Sequence, residues 1–84
     1  MEIKLYFIPT CNWCAKTKEW LKKKKLSFQD CDVSESQNGQ YRDELMEKSG
    51  QISVPVTDFD GEIVLGFNEK RLEEALAKAQ KKKL

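Results

Sequence analysis

Ile3-Lys4-Leu5-Tyr6-Phe7-Ile8-Pro9-Thr10-Cys11-Asn12-Trp13-Cys14 contains a change of period. Ile3, Leu5 and Phe7 alternate with Lys4, Tyr6 and Ile8, so the segment from Glu2 to Ile8 reads as a strand with one set on each side. Both sets are mostly apolar, which places the strand centrally in its sheet. Pro9-Thr10 interrupts the alternation. From Asn12 to Lys25 good helix formers carry Ala15, Trp20 and Leu21 among lysines and Glu19. The stretch therefore reads as strand, turn, helix, with two cysteines at the turn.

Ser27 to Val33 gives a second strand, in which Asp30 and Asp32 share the face opposite Cys31; Cys31 is thus expected in the core. Ser34 to Gly39 is a polar loop. Tyr41, Leu45 and Met46 recur at helical spacing between Gln40 and Ser49, and Gly50 supplies a left-handed stop. Val54–Phe59 and Glu62–Leu65 are strand-like and flank Asp60-Gly61, a two-residue hairpin signal. Asn68 is an N-cap before a helix whose Leu72, Ala75, Leu76 and Ala79 form one apolar stripe, and Lys81-Lys82-Lys83 is expected to fray.

The order is β-α-β-α-β-β-α. Helices after the first two strands imply crossovers joining parallel strands, and the hairpin adds antiparallel ones, giving an α/β fold with a mixed four-stranded sheet and helices on its faces. Eighty-four residues support a single core, so one domain over residues 1–84 is expected. At this size folding buries about 60% of the unfolded surface, which keeps stability marginal.

Composition removes several functions. The 39% hydrophobic and 35% charged content fits a folded chain, and fifteen basic residues against fourteen acidic leave +1, a field with no pull toward nucleic acid or a membrane surface. The chain has no histidine, which rules out a Ser-His-Asp triad, a Cys-His nucleophile pair and a Cys₂His₂ zinc site. No apolar run approaches the roughly 20 residues of a spanning helix, and the first residues lack a signal-peptide pattern, so a cytoplasmic monomer is expected. Three cysteines, an odd number without secretory context, argue for reactive thiols over a disulfide framework.

Cys11-Asn12-Trp13-Cys14 falls where the first strand passes into the first helix, with Cys11 capping the helix and Cys14 one turn in. Two cysteines so spaced can reach disulfide distance. Free amides and the positive helix end favour a thiolate, and cysteines in such settings fall from a pKa of about 8.5 to about 3.5–7.5. Cys11 is therefore read as the nucleophile that forms a mixed disulfide with substrate, and Cys14 as the resolving thiol that releases reduced substrate. Structural zinc would need four ligands, and Cys31 is the only other thiol. Cys31 itself reads as a small buried hydrophobe.

Other residues frame the pair. Trp13 reads as an exposed platform for substrate and Trp20 as core. Lys16 and Lys18 could bias Cys11 toward thiolate, although helical lysines are usually solvated surface, and Lys22-Lys23-Lys24-Lys25 reads as a solvated helix end. A cis Val54–Pro55 bond would let the Val54 backbone pair with an extended substrate.

Thr10-Cys11-Asn12-Trp13-Cys14 after a short strand, Lys18 and Leu21 on the first helix, Val54-Pro55 before a hairpin, and Gly66-Phe67 ahead of the last helix resemble the glutaredoxin family of the thioredoxin-like superfamily. The resemblance spans nearly the whole chain. It implies a thioredoxin-like fold and a dithiol–disulfide oxidoreductase with Cys11 as attacking thiolate, Cys14 as its partner and cis-Pro55. It also implies a groove for substrate or glutathione drawn from Thr10, Trp13, Val54, Pro55, Gly66, Phe67 and Asn68, no resident metal or bound cofactor, and glutathione as co-substrate. Asn12 and Trp13 stand where the family usually has proline and tyrosine. Ile8 replaces a frequent basic residue, and Leu65-Gly66-Phe67-Asn68-Glu69 replaces a Gly-Gly turn with its Thr/Ser-Asp pair. The single Gly-Phe turn also resembles glutaredoxin-like proteins that serve ribonucleotide reductase and draw electrons from thioredoxin reductase. Another reading is an iron–sulfur carrier, with Cys11 from two subunits and two glutathiones holding a cluster; closure of a Cys11–Cys14 disulfide would compete with it.

Overall fold

Alternation over the first strand gives β1 (Ile3–Phe7), and the computed structural model, which describes residues 2–34, 39–51 and 53–82, places it inside the sheet. The chain continues through α1 (Asn12–Lys23), β2 (Gln29–Asp32), α2 (Gln40–Ser49), β3 (Val56–Phe59), β4 (Glu62–Leu65) and α3 (Glu69–Lys82). The strand order is β2-β1-β3-β4, with β1 parallel to β2 and antiparallel to β3, and β3 antiparallel to β4. This is the expected β-α-β-α-β-β-α order and the mixed four-stranded sheet of a thioredoxin-like fold.

Only the first crossover joins parallel strands. β2 ends at Asp32 beside Phe7, and β3 begins at Val56 beside Tyr6, so the chain through α2 leaves and re-enters the sheet at the same end. A helical connection makes its strands parallel only when it carries the chain back along the sheet.

The two sides of β1 found two cores. Ile3 and Leu5 join Phe59 and Val64 beneath α1 and α3, which contribute Trp20, Leu21, Leu72, Ala75 and Ala79. Trp20 meets Phe59 edge-on with centroids 6.4 Å apart. On the other side Tyr6, Cys31, Val33 and Val56 pack with Leu45 of α2. Met46, expected on that apolar face, is 44% exposed. The inward face of α2 instead includes Glu44 and Lys48, which reach polar groups on the sheet. Tyr6 Oη donates to Glu44 Oε1 at 2.8 Å, and Lys48 Nζ donates to Tyr6 Oη and to Asp58 Oδ2, each at 2.7 Å.

Element ends differ from expectation where backbone chemistry intervenes. α1 stops at Lys23, two residues early, because Lys25 turns left-handed (φ 58°) and the Leu26 amide closes back on the Leu21 carbonyl at 3.1 Å. β3 begins at Val56, since Pro55 has no amide to give a ladder. Lys81 and Lys82, expected to fray, belong to α3, while Lys83 lies outside the described residues. Of the polar loop from Ser34 to Gly39, residues 35–38 also lie outside them.

Candidate active site

β1 ends at Phe7, β3 enters at Val56 opposite Tyr6, and β4 leaves at Leu65 opposite Val56. Three segments remote in sequence therefore meet at one end of the sheet: the Pro9–Cys14 turn, Val54-Pro55 and Gly66-Phe67. Two contacts tie them together. The Gly66 amide donates to the Pro55 carbonyl at 2.8 Å, and Phe67 stacks on Trp13 with centroids 6.1 Å apart and planes 28° apart. Gly66 holds φ 75°, a region open to glycine, as the chain turns out of β4 toward α3. The Val54–Pro55 bond is cis.

The turn at Pro9-Thr10 closes through the Cys11 amide, which donates to the Ile8 carbonyl at 3.2 Å. Cys11 then caps α1. Its backbone is extended (φ −89°, ψ 118°), its carbonyl receives the Ala15 amide at 3.2 Å, and its Sγ receives the Cys14 amide at 3.2 Å. A side chain in this position satisfies one of the open amides of a helix start and lies at the positive end of the dipole. No acidic residue sits in the first turn to compete for that role.

Cys14 faces inward and is 2% exposed. Burial, followed by a hydrogen bond to Cys11, pushes its thiol up from 9.0 to about 12. The two cysteines thus differ in access: Cys11 is half-exposed and Cys14 is covered. Cys31 belongs elsewhere. It is fully buried in the core against α2, across the sheet from α1, and burial raises its thiol to about 11.

Of the residues expected in the groove, Trp13 is 56% exposed, Val54, Gly66 and Phe67 are half-buried, Pro55 is buried, and Thr10 and Asn68 are exposed. Asn68 Oδ1 receives the Arg71 amide at 3.2 Å, so this side chain is engaged as the cap of α3. Lys16 extends over the Trp13 ring, 4.6 Å from its centroid, while Lys18 turns to the other side of α1, 4.3 Å from the Phe7 centroid and 3.5 Å from Asp30 Oδ1.

A cavity of about 250 Å³ opens beside both cysteines on that second side, lined also by Phe7, Ile8, Pro9, Ala15 and Lys18. The groove residues named from sequence do not include it. The signal lay in the helix period, since Lys18 follows Cys14 by four residues and shares its face.

A glutaredoxin family model matches residues 3–64, which covers most of the chain. The chain belongs to the glutaredoxin family. This glutaredoxin is 42% identical over 76 residues to an uncharacterized glutaredoxin-like 8.6 kDa protein in the rubredoxin operon of Clostridium pasteurianum, a match covering 90% of this chain and 99% of the relative. Among solved structures it resembles the thioredoxin-like protein BC3987 at 30% identity and a TM-score of 0.77, over 87% of this chain and 97% of the other. It also resembles the glutaredoxin of Archaeoglobus fulgidus at 28% identity and a TM-score of 0.79, over 88% and 84%. Membership implies disulfide oxidoreductase activity. Among the described residues no helix is long and apolar enough to cross a membrane.

Proposed function

We propose that this glutaredoxin reduces protein disulfides or glutathione mixed disulfides through a Cys11/Cys14 dithiol. The observation that carries the reading is the asymmetry of the pair: Cys11 Sγ caps α1 and receives an amide hydrogen, whereas Cys14 lies one turn behind and is covered. Cys11 thiolate attacks one sulfur of the substrate disulfide, forming a Cys11–substrate bond while the other substrate sulfur leaves with the bonding pair and takes a proton from water. Cys14 then loses its proton and attacks Cys11 Sγ. A Cys11–Cys14 disulfide forms, the second substrate thiolate leaves, and two electrons have passed from protein to substrate.

Burial of Cys14 suits the resolving role. A thiol held protonated does not attack solvent-borne disulfides, but the mixed disulfide brings the Cys11 sulfur to it. Trp13 and Phe67, stacked beside Cys11, offer an apolar face for the substrate chain.

Two donors could restore the dithiol. Glutathione is the family's usual one. A specific feature favours thioredoxin reductase as the alternative: Leu65-Gly66-Phe67-Asn68-Glu69 stands in place of a Gly-Gly turn and its Thr/Ser-Asp pair, Phe67 is spent on Trp13, and Asn68 on the α3 cap. Reduction of the oxidised protein, followed by loss of the Cys11–Cys14 disulfide, separates them. Rapid reduction by glutathione assigns a glutaredoxin in the functional sense; reduction only by thioredoxin reductase with NADPH assigns the second donor. Retention of disulfide reductase activity by Cys11→Ser defeats the mechanism under either donor.

A further inference from the structure

The cavity beside Cys11 and Cys14 lies on the Phe7–Lys18 side of α1, away from the Trp13–Phe67 face. Its volume, about 250 Å³, is just below the roughly 300 Å³ at which pockets begin to take drug-sized ligands, so its occupant is small. Phe7, Ile8, Pro9 and Ala15 make an apolar wall; Cys11 is half-exposed beside it, and Cys14 lines it from its covered position. Among the described residues Lys18 is the only charged one in the lining. Its ammonium is held at the rim by the Phe7 ring at 4.3 Å and by Asp30 at 3.5 Å. That ion pair is long and solvent-exposed, with Asp30 half out in water, and pairs of this kind are weak enough to exchange for an incoming carboxylate.

We propose that this cavity is a binding site for small organic disulfides that carry a carboxylate beyond a short apolar stem, with Lys18 as the group that recognises the carboxylate. The proposal rests on the oxidoreductase reading above and names a substrate class for the same dithiol. The stem lies on Phe7, Ile8 and Pro9, the carboxylate displaces Asp30 from Lys18, and the disulfide meets Cys11. One substrate sulfur bonds to Cys11, and the other leaves as a thiolate. Cys14 then displaces the bound half, so that one disulfide becomes two thiols and the protein dithiol becomes a disulfide. Lys18 orients the substrate and takes no part in electron transfer.

The test is a single turnover of the fully reduced protein with 3,3′-dithiodipropionate, which is anionic, and with bis(2-hydroxyethyl) disulfide, which is neutral. Rates are read by quenching and alkylating the protein's remaining thiols, and the anionic-to-neutral ratio is compared with that of dithiothreitol, a neutral dithiol followed by its cyclic disulfide. The ratio is expected to exceed the dithiothreitol value and to fall about fivefold in Lys18→Gln, as loss of one partly exposed charge pair allows. Lys18→Arg keeps the ratio, and Asp30→Asn, which frees the ammonium, raises it. An unchanged ratio in Lys18→Gln overturns the proposal, and so does an equal slowing of both disulfides, which would mean that Lys18 acts on the thiols instead of the ligand. No oxidation of the wild-type dithiol by either disulfide overturns the oxidoreductase reading itself.

Discussion

Cys14 sits behind the sulfur that caps α1, in a cover that raises its thiol from 9.0 to about 12, and Cys31 is raised to about 11 by burial in the other core. Each folded-state value exceeds the unfolded one, so each group contributes stability fully present below about pH 9 and lost as pH climbs through the folded values. Tyr6, pushed up by burial and by its hydrogen bond to Glu44, adds the same trend at still higher pH. The reduced protein is therefore expected to lose stability between pH 9 and 11, read as a falling midpoint in urea, with a smaller fall in Cys14→Ser. A midpoint that stays level over this range contradicts the burial argument. At this scale the sequence spoke clearly about position: a cysteine at a helix start and another one turn on already imply different surroundings. It offered Lys18 only as a bias on Cys11, because a lysine on a lysine-rich helix looks like solvated surface until Phe7 and Asp30 are seen to hold it.

Among the elements, α1 shows both the reach and the limit of local reading. Its start follows from the Pro9-Thr10 break and the capping cysteine, but its end depends on Lys25, which adopts φ 58° without the glycine that usually marks such a stop. The apolar side chain of Leu26 packs against the core that holds Leu21, and this tertiary contact selects the turn. Lys25→Gly removes the steric cost of a left-handed Cβ and is expected to stabilise the protein by about 0.5–1 kcal/mol, after the greater freedom of glycine in the unfolded chain is discounted. Thermal unfolding measures it; a lower melting temperature would show that the lysine side chain contributes more than the backbone strain costs. α2 was legible in its bounds, Gln40–Ser49 with Gly50 at φ 75°, but not in its facing. Glu44 and Lys48 turn inward because Tyr6 and Asp58 await them on strands 38 and 10 residues away, a match that no window of sequence spacing contains.

For the molecule as a whole, the sheet decides what each thiol can meet. The order β2-β1-β3-β4 brings the Pro9–Cys14 turn, Val54-Pro55 and Gly66-Phe67 to one end, and it puts Cys31 on the far face of the sheet. Strand periods and the Asp60-Gly61 hairpin made the element order readable, whereas the direction of β3 was not, because a helix between two strands fits either sense until the sheet is assembled. The central claim is that Cys11 alone among the three cysteines meets the substrate first. Competitive alkylation of the native, fully reduced protein with limiting iodoacetamide near pH 7, mapped by peptide mass spectrometry, tests it directly. The account predicts that Cys11 is modified about tenfold faster or more than Cys14 or Cys31, because the reagent reaches a half-exposed capping sulfur and buried thiols are inert. Modification of Cys14 or Cys31 at a rate equal to or above that of Cys11 would contradict it.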